Sequence, residues 1–325
     1  MRVLKIAFFA VHDKNDLQNT VFFNLLKNIC NKKIEISTTD NADILIVGPY
    51  DAINYKRAFL NKLSNIKFFK KFFNYFPNFD IYSFKRDYKP LRIFLSSENI
   101  HENLPQYNYS FNHDLGIVND NHFRFPIWKD HIDWSHEGIT RQHTLTSKRF
   151  GALWKLDDLL KPQGTDFLNK KKKMCLITSH MTEPKMSIYL KFKQHFQVDG
   201  FGGYFQKEIR HHNNSNFKIK DILENYAFNL CPENSLFPGY YNERVPNAFL
   251  SKTLPITWAD QNIDIDFNIK AFINLIDHAK NNYDDICDLL KDDSYLLNYT
   301  KEPLLLEKPN LDKEKIFVQK VLSSL

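Results

Sequence analysis

Asn229-Leu-Cys-Pro-Glu-Asn-Ser-Leu-Phe-Pro-Gly-Tyr-Tyr-Asn-Glu-Arg-Val-Pro-Asn-Ala-Phe-Leu-Ser-Lys-Thr-Leu-Pro-Ile-Thr-Trp258 reads as strand, loop, helix, strand. The first strand runs from Tyr226 to Cys231 and ends in a polar loop of Glu233, Asn234 and Ser235. Pro238-Gly239 predicts a turn that presents Tyr240 and Tyr241. Asn242 is a good N-cap, so a helix is predicted over residues 242 to 251. Its first turn sets Glu243 and Arg244 beside backbone N–H groups that favour anions. Leu254 to Trp258 is the second strand. Apolar strands joined through a helix make a parallel crossover unit. An ordinary crossover with a capped helix accounts for the same residues, so physical chemistry alone leaves a structural and a functional reading open.

The same alternation extends outward in both directions. Leu4 to Val11, Asp43 to Pro49 and Leu91 to Ser97 are apolar strand candidates, the last followed by a polar loop at Glu98. Leu17 to Cys30 has helical spacing, with Val21, Leu25, Leu26 and Ile29 on one side. Lys161-Pro-Gln-Gly164 and the run Lys170 to Lys173 read as a solvated interdomain linker. Beyond it, Met174 to Thr178 is a strand, Lys185 to Phe196 a helix, and Phe196 to Gly202 a strand and turn. Residues 269 to 278 and 283 to 290 read as helices. Two halves of alternating strand and helix predict an α/β chain of two facing Rossmann-like domains with parallel sheets. Ligands of such sheets bind at the carboxyl ends of the strands.

Composition excludes several function classes. With 43% hydrophobic and 25% charged residues, the 325-residue chain has the apolar content of a globular protein. The net charge of +6 is too mild to indicate nucleic acid by itself. The four cysteines, Cys30, Cys175, Cys231 and Cys287, form no CxxC pair, which argues against a zinc site or disulfide framework and fits a reducing compartment. The apolar start is interrupted by Lys5 and reads as a strand rather than a signal peptide. No stretch approaches the ~20 apolar residues of a membrane span. A cytoplasmic setting is expected. Residues 59 to 76 are basic and aromatic at helical spacing, which reads first as a core-facing helix with a lysine-rich outer side and also suits contact with the inner face of a membrane.

The quoted segment resembles the signature of the α-1,3/1,4-fucosyltransferases, glycosyltransferase family 10. Three further blocks add to the likeness: Ile93-Phe-Leu-Ser-Ser-Glu-Asn99; Phe111-Asn-His-Asp-Leu-Gly-Ile117 with Phe125-Pro-Ile-Trp128; and Ile188-Tyr189 through Val198-Asp-Gly-Phe-Gly202. The resemblance covers roughly residues 92 to 260 in order, and none is found for residues 51 to 90 or the C-terminal tail. It implies a GT-B fold with an acceptor domain over residues 1–165, a donor domain over 166–305 and a tail over 306–325 that admits a helix. It also implies inverting transfer of fucose from GDP-fucose to a glycan hydroxyl, with no metal and no cofactor beyond the donor substrate. Glu98 falls at the family's catalytic base. Asn234, Tyr240 and Glu243 fall at donor-binding positions, and Gly202 in the block that opens the donor domain. Arg244 stands where the family usually has Lys at the diphosphate, and Lys185 where it usually has Arg. Cation number is kept while a planar fork and a point charge trade places.

The chemistry is consistent with those residues. An inverting displacement needs one carboxylate to take the acceptor's proton. The diphosphate leaving group needs positive charge, which Lys185 and Arg244 supply. Asp264-Ile-Asp266 has the spacing of metal-dependent sugar transferases but lies in a polar loop past the main motif. His131, His136, His211 and His212 form no HExxH pattern and read as core or surface histidines. Gly200-Phe-Gly-Gly203 is not GxGxxG and reads as a strand-end turn open to ligand. Two alternatives stand beside fucose transfer: another nucleotide-deoxysugar donor with the same mechanism, and a non-catalytic glycan-binding protein of the same fold.

Overall fold

A computed structural model describes residues 3–11, 17–49, 90–96, 98, 107–141, 149–171, 173–205 and 218–325. The segment 59–76 and His211-His212 lie outside the described residues.

The first sheet is built from β1 (Leu4–Phe9), β2 (Ile34–Ile36), β3 (Ile44–Val47), β4 (Leu91–Leu95), β5 (Tyr109–Asn112) and β6 (His122–Arg124). Its order is β2-β1-β3-β4-β5-β6 and every pairing is parallel. All four residues of β3 are buried, as expected for a strand covered on both faces. Helix α1 (Val21–Ile29) follows β1 and begins at Thr20, whose hydroxyl accepts from Phe23 N. Its buried side chains include Val21, Phe22, Leu25 and Leu26, as the spacing predicts.

The second sheet contains β7 (Met174–Ile177), β8 (Val198–Phe201), β9 (Phe228–Leu230), β10 (Leu254–Thr257) and β11 (Ile273–Asn274), in the order β11-β10-β9-β7-β8. It too is parallel throughout. Helix α2 (Lys185–His195) connects β7 to β8, and the seven-residue helix α3 (Arg244–Leu250) connects β9 to β10. The two α/β domains, each with its own parallel sheet, match the pair of Rossmann-like halves expected from the alternation and the architecture that the resemblance implies.

Three sequence expectations need correction. The stretch 269–278 is not one continuous helix: it is a short 3-10 helix at Ile269–Ala271, strand β11, and a second 3-10 helix that begins at Leu275 and runs to Asn281. Asn268 and Asn274 accept backbone N–H groups two residues on, which interrupts the helix, and Ile273 pairs with Ile256 in the sheet. The run Lys170 to Lys173 is not solvated at its first residue. Lys170 Nζ donates to Ser251 O, Lys252 O and Thr253 Oγ1, satisfying carbonyls just past the end of α3. Helix α3 starts at Arg244 with Glu243 at its cap position, not at Asn242. Asn242 sits one residue before the cap: its N–H and side-chain amide bond Glu233, while its Oδ1 still accepts from Arg244 N at 3.2 Å.

The C-terminal tail does form a helix, α4 (Asp312–Ser323), and it packs on α1 of the first domain. Phe317 meets the Tyr109 ring edge-on at 5.8 Å, Lys129 pairs with Glu314, and Lys315 pairs with Glu137 at 2.7 Å. The chain therefore crosses back after completing the second sheet. The two domains share one apolar core that includes Phe111, Tyr241, Val245, Phe249 and Phe317. Trp154 Nε1 donates to Asn247 Oδ1 at 3.1 Å in the same buried seam, and Arg124 forms a two-bond pair with Asp266 at 2.9 and 2.5 Å.

Candidate functional site

The carboxyl ends of the two sheets face a common cavity of about 690 Å³. The first domain contributes Val11 beyond β1, Pro49 beyond β3, and Leu95, Ser96 and Glu98 at the end of β4. The second contributes Thr178 beyond β7, Gly202 beyond β8, Cys231 and Asn234 beyond β9, and Tyr240, Glu243 and Arg244 at the start of α3. A cleft at strand ends, of this volume, suits a small-molecule ligand of nucleotide size.

Its charged floor is built from the loop after β9. Strand pairing runs on past β9: Cys231 N donates to Ile256 O at 2.8 Å and Glu233 N to Trp258 O at 3.0 Å. Glu233 is 1% exposed. Its Oε1 accepts from Asn242 N at 3.2 Å and its Oε2 from Asn242 Nδ2 at 2.5 Å, with Arg244 Nη1 3.6 Å away. Burial pushes this carboxyl up to about 7, against the pull of Arg244.

Lys185 is the first residue of α2 and is 3% exposed. Its Nζ donates to Asn234 Oδ1. Arg244 Nη2 donates to the same oxygen at 3.2 Å, and Nη1 to Pro232 O. Burial, reinforced by the Arg244 charge, lowers Lys185 to about 8. Asn234 Nδ2 lies 3.5 Å from the Tyr240 hydroxyl. The Tyr240 phenol is buried and its proton is held tightly, first through desolvation and also through the charges of Glu233 and, from the other domain, Glu98. Positive charge at this floor comes from side chains, since so short a helix as α3 adds little dipole.

Glu98 is exposed on the opposite wall. Ser96 fixes its backbone: Glu98 N donates to Ser96 Oγ at 3.1 Å, and Ser96 Oγ donates to Glu98 O at 3.0 Å. Gly202 lines the cavity, but its backbone is occupied by protein rather than left open. At φ +94° a Cβ there would meet Thr178 O at 2.5 Å. The glycine lets the loops after β7 and β8 touch. Gly239, at φ +90°, allows a similar approach across the domain seam, where a Cβ would fall 2.1 Å from His113 O.

The structure thus gathers Glu98, Lys185, Gly202, Asn234, Tyr240, Glu243 and Arg244 at one cavity. Asp264 and Asp266 do not join them: Asp264 is exposed and Asp266 is bound to Arg124. Among the described residues, no group of three or more His, Cys, Asp or Glu side chains is placed to hold a metal ion. His136 is exposed and stacks on Trp134. Sequence reasoning set His131 aside, yet it lines the cavity, 5% exposed, with its ring 4.9 Å from that of Trp154. Burial lowers it to about 4, opposed by Glu243 and reinforced by Arg141, so it is neutral near pH 7. Its only sequence signal is its position three residues after the Phe125–Trp128 block.

Comparison with known proteins places the chain. Residues 167–301 match the family described as glycosyltransferase family 10 (fucosyltransferase), C-terminal. An α-(1,3)-fucosyltransferase of Helicobacter pylori is 26% identical over 250 residues, covering 70% of this chain and 49% of that protein. The chain thus spans about half the length of this relative. The crystal structure of an α1,3-fucosyltransferase superposes with a TM-score of 0.62 at 20% identity, covering 99% of this chain and 88% of the other. An α1,3-fucosyltransferase structure with GDP-fucose gives 0.61 at 18% identity, covering 98% and 88%. At these identities the two structures speak for the fold. No described helix is long and apolar enough to cross a membrane.

Proposed function

The chain belongs to glycosyltransferase family 10 through its second domain, and from that premise we propose that it transfers fucose from GDP-fucose to a hydroxyl of a glycan acceptor with inversion at the sugar carbon. The observation that carries this reading is the convergence of Lys185 and Arg244 on one oxygen in a cavity whose other wall bears Glu98. Two cations on one wall suit a diphosphate, and a carboxylate on the other suits an incoming hydroxyl.

In this mechanism Glu98 takes the proton of the acceptor hydroxyl as its oxygen bonds to the anomeric carbon. The bond from that carbon to the diphosphate breaks in the same displacement, through an oxocarbenium-like state. Lys185 and Arg244 hold the departing charge, so the leaving group needs no proton. Tyr240 and Asn234 line the same cavity as the proposed base. The proposed reaction is independent of metal and takes place in the cytoplasm.

The reading is tested by incubating the protein with a panel of nucleotide sugars and a panel of glycan acceptors, following nucleotide release. Acceptor-dependent GDP release from GDP-fucose alone supports it. Release from another nucleotide deoxysugar would reassign the donor, and binding of glycan with no release would leave a non-catalytic lectin-like role.

A further inference from the structure

We propose that Glu233 is the positioning carboxylate of this site: from beneath, it fixes Arg244 and the approach to α3, and it takes up a proton when a diphosphate ester enters above it. The inference rests on the donor reading given above.

The geometry carries the first half. An ionised carboxylate accepts through two oxygens and about four lone-pair sites. Glu233 spends them on Asn242 N, Asn242 Nδ2 and the nearby Arg244 guanidinium. Asn242 in turn accepts from Arg244 N through its Oδ1 at 3.2 Å. One buried side chain therefore ties down the segment that presents Tyr240, Glu243 and Arg244 to the cavity.

The charge balance carries the second half. The ionisable groups acting on Glu233 are Arg244 and Glu243 at the start of α3 and Lys185 at the start of α2. Glu233 in turn acts on Cys231 at the end of β9 and on Tyr240 in the loop between. With the site empty, the charges of Lys185 and Arg244 offset those of Glu233 and Glu243. A diphosphate ester adds two negative charges, and an excess of buried negative charge is costly. The carboxyl already pushed up to about 7 is the group that relieves it, taking a proton from solvent. Lys185, lowered to about 8, is already largely protonated at pH 7 and takes up little.

The test is calorimetric titration of GDP-fucose, without acceptor, at pH 7.0 in buffers of differing ionisation enthalpy. The ester phosphates of this ligand do not titrate near neutrality, so the protons counted belong to the protein. A fraction of a proton should be taken up per ligand bound, as for a carboxyl that starts only partly protonated and ends fully so. Glu233→Gln should lose most of that uptake. The donor KM of the parent should rise as pH increases through 7, Glu233→Asp should keep that inflection, and Glu233→Gln should lack it. Binding whose heat shows no buffer dependence would overturn the role of Glu233 and leave the donor reading intact. Absence of binding would overturn both. Should Glu233→Gln fail to fold, the buffer comparison on the parent protein still decides.

Discussion

Lys185 and Arg244, at the starts of two different helices, donate to one and the same atom, Oδ1 of Asn234. Two like charges around a neutral oxygen repel each other, and that repulsion contributes to the lowering of Lys185 to about 8. A neutral acceptor between two cations leaves their charge available to an incoming anion.

Asn234→Asp should therefore supply in the protein the charge that the ligand is expected to bring. The new carboxylate would pair with both cations, raising thermal stability while weakening GDP binding by about 10-fold or more. The check is a melting curve with and without GDP. A variant that keeps full GDP affinity would show that the cations do not meet the diphosphate.

Glu98 stands on the wall opposite the cations, and its charge reaches the Tyr240 phenol. Glu98→Gln should lower kcat by about 100-fold or more with donor affinity nearly unchanged, because only proton removal is lost. Steady-state kinetics beside donor titration separates the two quantities. Turnover within a few-fold of the parent would remove Glu98 from the mechanism.

Donor affinity should fall as pH rises through about 8. Lys185 carries charge below that value and loses it above, and a bound anion favours the charged form. Nucleotide-sugar titrations from pH 7 to 9.5 should show the decline in the parent and a shallower one in Lys185→Ala, where only Glu233 still responds.

Activity should persist in excess EDTA. The charge assigned to the leaving group comes from Lys185 and Arg244, and Asp266 is committed to Arg124. Complete loss in chelator, restored by Mn²⁺, would show that the cations are insufficient and return attention to Asp264 and Asp266.

Much of the fold was legible because its central strands are apolar runs bounded by turns. Ile44 to Val47 is buried at every position, and Met174 to Ile177 nearly so. The strands missed lack that signal. The buried β5 carries Ser110, made acceptable by its 2.7 Å bond to His122 Nδ1, and β6 is only half-buried. The two-residue β11 is too short to show a period, and it forms through pairing with β10. The return of α4 to the first domain could not be read, since it depends on Tyr109, Lys129 and Glu137, all distant in sequence. At the cavity, the residues named from the resemblance came with their motifs, whereas the bonding of Glu233 to Asn242 forms only once the loop after β9 is folded, and the cavity position of His131 only once both sheets are in place.

The most direct measurement compares GDP with guanosine by calorimetric titration into the parent, Lys185→Ala and Arg244→Ala. The account predicts that each substitution weakens GDP binding by roughly 2–3 kcal/mol, the scale of a charge-assisted hydrogen bond with its Coulomb attraction, and leaves guanosine binding almost unchanged. Unaltered GDP binding in both variants would contradict it, because the diphosphate would then lie elsewhere. Equal losses for GDP and guanosine would contradict it too, because the two side chains would then support the fold and not the ligand's charge.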